Sequence, residues 1–156
     1  MTKELREGDP APDFALAADR GGSVRLADLK GKAVVLYFYP KDDTSGCTSE
    51  AKAFSGLKDK FAAAGAVVVG VSPDSAASHD KFKAKHALTV ALASDPERSA
   101  IEAYGVWKEK SMYGRKYFGV ERSTFLIDGN GRIAKIWRKV KVAGHAEEAL
   151  AAVRAL

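Results

Sequence analysis

Cys47 is the only cysteine of the chain, and it closes the stretch Pro40-Lys41-Asp42-Asp43-Thr44-Ser45-Gly46-Cys47. A thiol becomes a strong nucleophile only when ionised. At an ordinary pKa of about 8.5 a few per cent is thiolate at neutral pH, whereas a value near 6 makes most of it thiolate, a stabilisation of about 3.4 kcal/mol. The surroundings of Cys47 supply a means. Ahead of it runs Ala33-Val34-Val35-Leu36-Tyr37-Phe38-Tyr39, apolar throughout and rich in β-branched and aromatic residues, as in a strand buried on both faces; Pro40 ends it. After it, Ala51, Phe54, Leu57, Phe61 and Ala62 recur at three- and four-residue spacing, which predicts a helix from near Gly46 with Cys47 in its first turn. Free N–H groups and the positive end of the helix dipole there favour a thiolate. A lone cysteine also serves as a small buried hydrophobe. The helix start, the flanking Thr44 and the polar loop favour the reactive reading.

A thiolate attacking a peroxide needs its own charge stabilised, the peroxide held in line, and help for the departing oxygen. Thr44 can set its hydroxyl beside the sulfur as donor and acceptor. Pro40 has no N–H and stiffens the loop, which helps shield the sulfur from water. For the permanent cation the candidate is Arg122, just ahead of the apolar segment that starts at Ser123.

The elements that must position these residues follow from the chain in order. Asp9-Pro10-Ala11-Pro12-Asp13 reads as extended lead-in, and residues 14–16 and 23–26 as short strands joined across Asp19-Arg20-Gly21-Gly22. After the first helix, residues 66–72 form a second buried strand, giving a right-handed parallel βαβ unit. Ser72 and Pro73 open a polar helix through about His86, 90–93 is a strand, and Asp95 starts a brief helix through Tyr104. Residues 105–122, with three glycines among Trp107, Met112, Tyr113, Tyr117 and Phe118, suit either a mobile, substrate-shaping loop or aromatic cover for a sheet edge. Residues 123–127 and 132–137 flank Asp128-Gly129-Asn130-Gly131 as an antiparallel hairpin, and an amphipathic helix follows Gly144. The expected fold is α/β: a mixed central sheet covered by helices, with an N-terminal β-hairpin extension, in one domain over 1–156.

A hydrophobic share of 46% with 29% charged residues suits a globular domain, and no apolar run approaches a membrane span. The start, Met1-Thr2-Lys3-Glu4-Leu5-Arg6-Glu7-Gly8, lacks the apolar core of a secretory signal, and one cysteine excludes an internal disulfide, so a cytoplasmic protein is expected. Lys and Arg number 25 against 20 Asp and Glu, but the excess is spread along the chain without a nucleic-acid motif, so no nucleic-acid partner is expected. His79, His86 and His145 form no ligand pattern; His79 and His86 read as polar positions on one helix, and neither metal nor cofactor is expected.

Pro40-x-x-x-Thr44-x-x-Cys47 resembles the active-site motif of the peroxiredoxins. Tyr37 to Thr44, Gly46-Cys47-Thr48 and Glu121-Arg122-Ser123-Thr124-Phe125-Leu126-Ile127-Asp128 are similar to the bacterioferritin-comigratory-protein, or peroxiredoxin Q, branch. The resemblance runs from Gly8-Asp9-Pro10-Ala11-Pro12-Asp13-Phe14 to the final helix and implies a thioredoxin-like fold. It also implies reduction of hydrogen peroxide or organic hydroperoxides, with Cys47 as peroxidatic nucleophile passing through a sulfenic acid. By the same resemblance Thr44 orients sulfur and peroxide, Pro40 shields the pocket, and Arg122 favours the thiolate and the transition state; Glu50 falls at a family position, where it either holds Arg122 in place or is an exposed helix glutamate, and it stays outside this core set. Two departures shape the cycle. Many members of the branch carry a resolving cysteine five residues after the first, where this chain has Lys52, and others carry it in the following helix, where residues 74–87 contain none. Ser45 stands where a proline is usual. A one-cysteine enzyme follows, whose sulfenic acid must be resolved by an external thiol: thioredoxin, glutaredoxin or a low-molecular-weight thiol. A monomer or weak homodimer is expected. A disulfide reductase would need Cys-x-x-Cys, and Glu50 occupies the second position. The remaining rival is a redox sensor or holdase using Cys47 without turnover.

Overall fold

The computed structural model describes residues 4–156, so residues 1–3 of the segment read as lacking a secretory core lie outside it. The first hairpin pairs β1 (Ala15–Ala18) with β2 (Ser23–Arg25), Leu16 opposite Val24. The apolar run becomes β3 (Ala33–Phe38), every residue of it buried. The single helix expected next is two, α1 (Ser45–Gly56) and α2 (Lys58–Ala63). Gly56 is a poor helix former, and Leu57 leaves helical dihedrals at φ −105°, ψ 6°. The chain returns as β4 (Ala66–Ser72), parallel to β3 with Val35 beside Val68.

The helix predicted from Ser72 begins later, as α3 (Ala76–His86). Ser72 stays in the sheet, pairing with Ser94, and its hydroxyl is taken by the Asp74 carboxylate at 2.7 Å. Ser75 is the cap instead, its Oγ accepting from the Ser78 N–H at 3.1 Å. Then follow β5 (Ala91–Ser94) and α4 (Ser99–Ala103), shorter than expected. Residues 105–122 are neither a loop nor an edge cover: β6 (Trp107–Met112) and β7 (Arg115–Val120) form a separate antiparallel ribbon, Met112 opposite Arg115. Tyr113 and Gly114, both at positive φ, make its tight two-residue turn. Last come β8 (Ser123–Ile127), β9 (Ile133–Trp137) and α5 (His145–Arg154), as expected.

The main sheet has the order β2-β1-β5-β4-β3-β8-β9, with β5, β4 and β3 parallel and the other pairings antiparallel. Alternation along β3 divides the core. Val34, Leu36 and Phe38 face Phe14, Tyr104, Ile101 and Phe125, whereas Val35, Tyr37 and Tyr39 face α1, α2, α3 and α5. Cys47 belongs to the second face, with Phe54, Phe61, Phe82 and Leu150. Among the described residues no helix is long and apolar enough to cross a membrane.

Gly70 seats α1 indirectly. It lies beside Tyr37 in the β3–β4 ladder, and a Cβ there would stand 2.6 Å from the Tyr37 ring and 3.0 Å from Leu92. The ring so accommodated stacks on Phe54 of α1 at 4.7 Å between centroids. Gly70→Ala is expected to force this stack apart and destabilise the fold by about 2 kcal/mol. A thermal melt reads it, and an unchanged Tm would remove the close approach as a constraint.

Candidate active site

The loop after β3 carries Pro40, half-buried, and leads to Thr44 as the N-cap of α1, with an extended backbone at φ −86°, ψ 156°. Cys47 is therefore the third helical residue, and its side chain turns inward to 1% exposure. Arg122 arrives from the junction between β7 and β8. Its backbone there is fixed by Glu121 N–H donating to the Val106 carbonyl at 2.8 Å and Val140 N–H donating to the Arg122 carbonyl at 2.9 Å. The guanidinium then divides its donors: Nη2 donates to Cys47 Sγ at 3.3 Å and Nη1 to Glu50 Oε1 at 2.6 Å. Gly46 leaves room for it, since a Cβ at that position would press on Nη2 at 3.2 Å.

Cys47 and Arg122, predicted from distant parts of the chain, thus meet directly. Thr44 does not join them by a hydrogen bond: its exposed hydroxyl donates to the Lys41 carbonyl at 2.9 Å. Glu50, left outside the core set of site residues, is 1% exposed and pairs with Arg122. The available signal was its i+3 spacing from Cys47, which puts both on one helix face; a solvent-facing glutamate has the same local sequence.

Burial pushes the Glu50 carboxyl up to about 7, with Arg122 pulling the other way through charge and hydrogen bond. Burial likewise works against the Arg122 charge, but the Glu50 carboxylate and the Cys47 sulfur more than offset it. Glu50 Oε2 is buried without a partner among the described residues, which fits a carboxyl that holds its proton easily.

A second polar cluster lies behind the loop. The Asp42 carboxylate accepts from the Tyr39 hydroxyl at 2.6 Å and the Ser78 hydroxyl at 2.8 Å, and pairs with His79 Nδ1 at 2.7 Å. His79, read as a polar position on its helix, is 0% exposed; His86 lies nearer the surface, where it pairs with Asp43 at 2.7 Å. Burial would lower the His79 pKa, but the Asp42 carboxylate and the Ala93 carbonyl carry it above the ordinary histidine value.

Residues 7–136 match the AhpC/TSA family, well over half of the chain. The chain belongs to the AhpC/TSA family. Peroxiredoxin Bcp of Bacillus subtilis is 54% identical over 150 residues, covering 96% of this chain and 94% of its own. A crystal structure of a PrxQ mutant from Xylella fastidiosa matches with a TM-score of 0.93 at 41% identity over 98% of each chain. The bacterioferritin comigratory protein of Xanthomonas campestris, in structures concerned with its alkyl peroxide reduction, matches at 0.87 and 46% identity over 91% and 90%. The fold is accordingly thioredoxin-like, and the chain is a peroxiredoxin of the Bcp and peroxiredoxin Q kind with one cysteine: a thiol peroxidase.

Because folding raises the Glu50 pKa, the folded peroxiredoxin holds that proton more tightly than the unfolded chain. Ionising Glu50 therefore costs stability as pH climbs from 4.5 to about 7, and the loss levels off above that. Glu50→Gln removes the titration. The Tm difference, variant minus parent, is expected to rise across this interval and then flatten; a difference that falls with pH would mean that attraction to Arg122 outweighs burial.

Proposed function

We propose that this peroxiredoxin reduces hydrogen peroxide and organic hydroperoxides through a sulfenic acid on Cys47, which an external thiol then resolves. The observation that carries the reading is the lone cysteine enclosed at a helix start with Arg122 Nη2 at 3.3 Å from its sulfur. The Cys47 thiolate attacks one peroxide oxygen, the O–O bond breaks, and the other oxygen leaves with the electron pair and is protonated to water or alcohol. Arg122 donates to the sulfur beforehand and faces the charge that develops between the oxygens. Thr44 turns its hydroxyl from the Lys41 carbonyl to the incoming peroxide, and Pro40, without an N–H, keeps the pocket dry.

Cys47–SOH then meets a thiol that comes from outside, since Lys52 and residues 74–87 offer no sulfur. Attack by R′SH gives Cys47–S–SR′ and water, and a second thiol releases Cys47 with formation of the external disulfide. Thioredoxin, glutaredoxin and low-molecular-weight thiols all fit this chemistry. The enzyme acts in the cytoplasm as one domain over 1–156, monomeric or weakly dimeric.

Removing a transition-state donor costs about a hundredfold or more in rate, so Arg122→Ala is expected to slow peroxide oxidation of Cys47 at least that much. An unchanged rate removes Arg122 from the site. Mass spectrometry of the peroxide-treated enzyme should find one oxygen added to Cys47; a dimer bridged between two Cys47 residues would instead point to resolution between copies. Multiple turnovers with thioredoxin, glutaredoxin or glutathione systems are expected, and one stoichiometric oxidation without turnover in all three would make the protein a sensor.

A further inference from the structure

At 1% exposure, the Cys47 sulfur cannot be reached in line by a second sulfur unless the loop over it moves. Such movement is resisted by a set of bonds that the peroxide chemistry does not use. Asp42, two residues past Pro40, gives its N–H to Asp74 Oδ2 at 2.7 Å. Its carboxylate is held by Tyr39, Ser78 and His79. Asp43, at φ 60°, is gripped by Lys85 at 2.6 Å and His86 at 2.7 Å. Apart from Tyr39, all of these partners belong to α3 or the segment leading into it. Yet α3 buries only His79 and Phe82, so polar bonds do much of its docking. His79 is the central member: Nδ1 meets Asp42 and Nε2 meets the Ala93 carbonyl of β5 at 2.9 Å. Both ring nitrogens face acceptors, so both carry protons, and the ring bridges the loop to the central sheet.

We propose that His79 is a positioning residue of the catalytic cycle: it latches the 40–44 loop to β5, keeping Cys47 enclosed for peroxide and limiting how readily the site opens to the resolving thiol. The proposal rests on resolution by an external thiol. Peroxide oxidation needs the closed site and thiol attack needs the open one, so weakening the latch must move the two half-reactions in opposite directions.

The test uses the full chain with Ser78→Ala, which removes one donor to Asp42 outside the core, and His79→Phe, which removes the bridge. Hydrogen exchange of the amides of residues 41–47 is measured on the reduced protein. The two half-reactions are followed separately: oxidation by hydrogen peroxide, and reduction of the oxidised enzyme by glutathione. Exchange is expected to accelerate in both variants, more in His79→Phe. For that variant peroxide oxidation should slow and glutathione attack should quicken, each by about tenfold, the scale of one lost hydrogen bond to a charged group. Ser78→Ala should shift both the same way by less. Both rates falling together, or exchange and rates staying at parental values in Ser78→Ala, would overturn the latch. If His79→Phe does not fold, Ser78→Ala decides alone. Glutathione failing to reduce the oxidised parent would count against resolution by a small thiol, while loop exchange would still decide whether the latch exists.

Discussion

The Arg122 guanidinium gives one nitrogen to the Cys47 sulfur and the other to the Glu50 carboxylate, and the rest of the molecule is arranged to let it do so. The partners lie 75 and 72 residues away in sequence. Neither α1 nor the β7–β8 junction can form this fork alone. Glu50 fixes the plane of the guanidinium, and a fork held by its own carboxylate presents its second edge to the sulfur with little rotamer freedom left to lose. Burial sharpens the arrangement. With Glu50 pushed up to about 7, the balance of charge beside the sulfur changes within the neutral range, so the same pair that orients Arg122 also sets how much of its positive charge is uncompensated.

The sheet brings the fork together. β3 lies between parallel β4 and antiparallel β8, so the C-terminal end of β3, which leads to Cys47, adjoins the start of β8, which follows Arg122. Phe38 opposite Ser123 is the last pair of that ladder. An antiparallel neighbour is needed for this: a strand running parallel to β3 would bring its own end, not its beginning, to the loop. The βαβ unit supplies the helix start, and the late hairpin supplies the cation.

Much of this was legible because it depends on local rules. The runs 33–39 and 66–71 carry no charged or strongly polar residue, as a strand covered on both faces requires, and Asp128-Gly129-Asn130-Gly131 carries its own turn chemistry. Cys47 could be placed on a helix start for the same reason. Where partners are distant, local rules fail. His79 stands among lysines and serines and looks solvated; its burial is set by Asp42, 37 residues earlier, which arrives only once β3 and β4 are paired. Glu50 is hidden in the same way by Arg122. The β6–β7 ribbon escaped for a different reason. Its two faces are mostly exposed, so hydrophobic alternation is weak, and its turn places Tyr113, not an asparagine or glycine, at the first left-handed position.

Enclosure and access make opposite demands on one stretch of chain. A sulfur at 1% exposure, in contact with an arginine and backed by Phe54 and Tyr37, is well placed for a small peroxide and poorly placed for a bulky thiol. In a chain with a second cysteine, the resolving sulfur can travel with the moving segment. On the proposed resolution by an external thiol the second sulfur diffuses in, so the proposed latch assigns the open loop to the second half of the cycle and the closed loop to the first. The polar bonds between residues 42–43 and α3 suit that compromise better than apolar packing would. The outer ones, from Asp43 to Lys85 and His86, can break and be rehydrated singly, while the buried Asp42–His79 pair holds the loop between openings. A loop buried on leucines would hold Cys47 as firmly but would release it far less often.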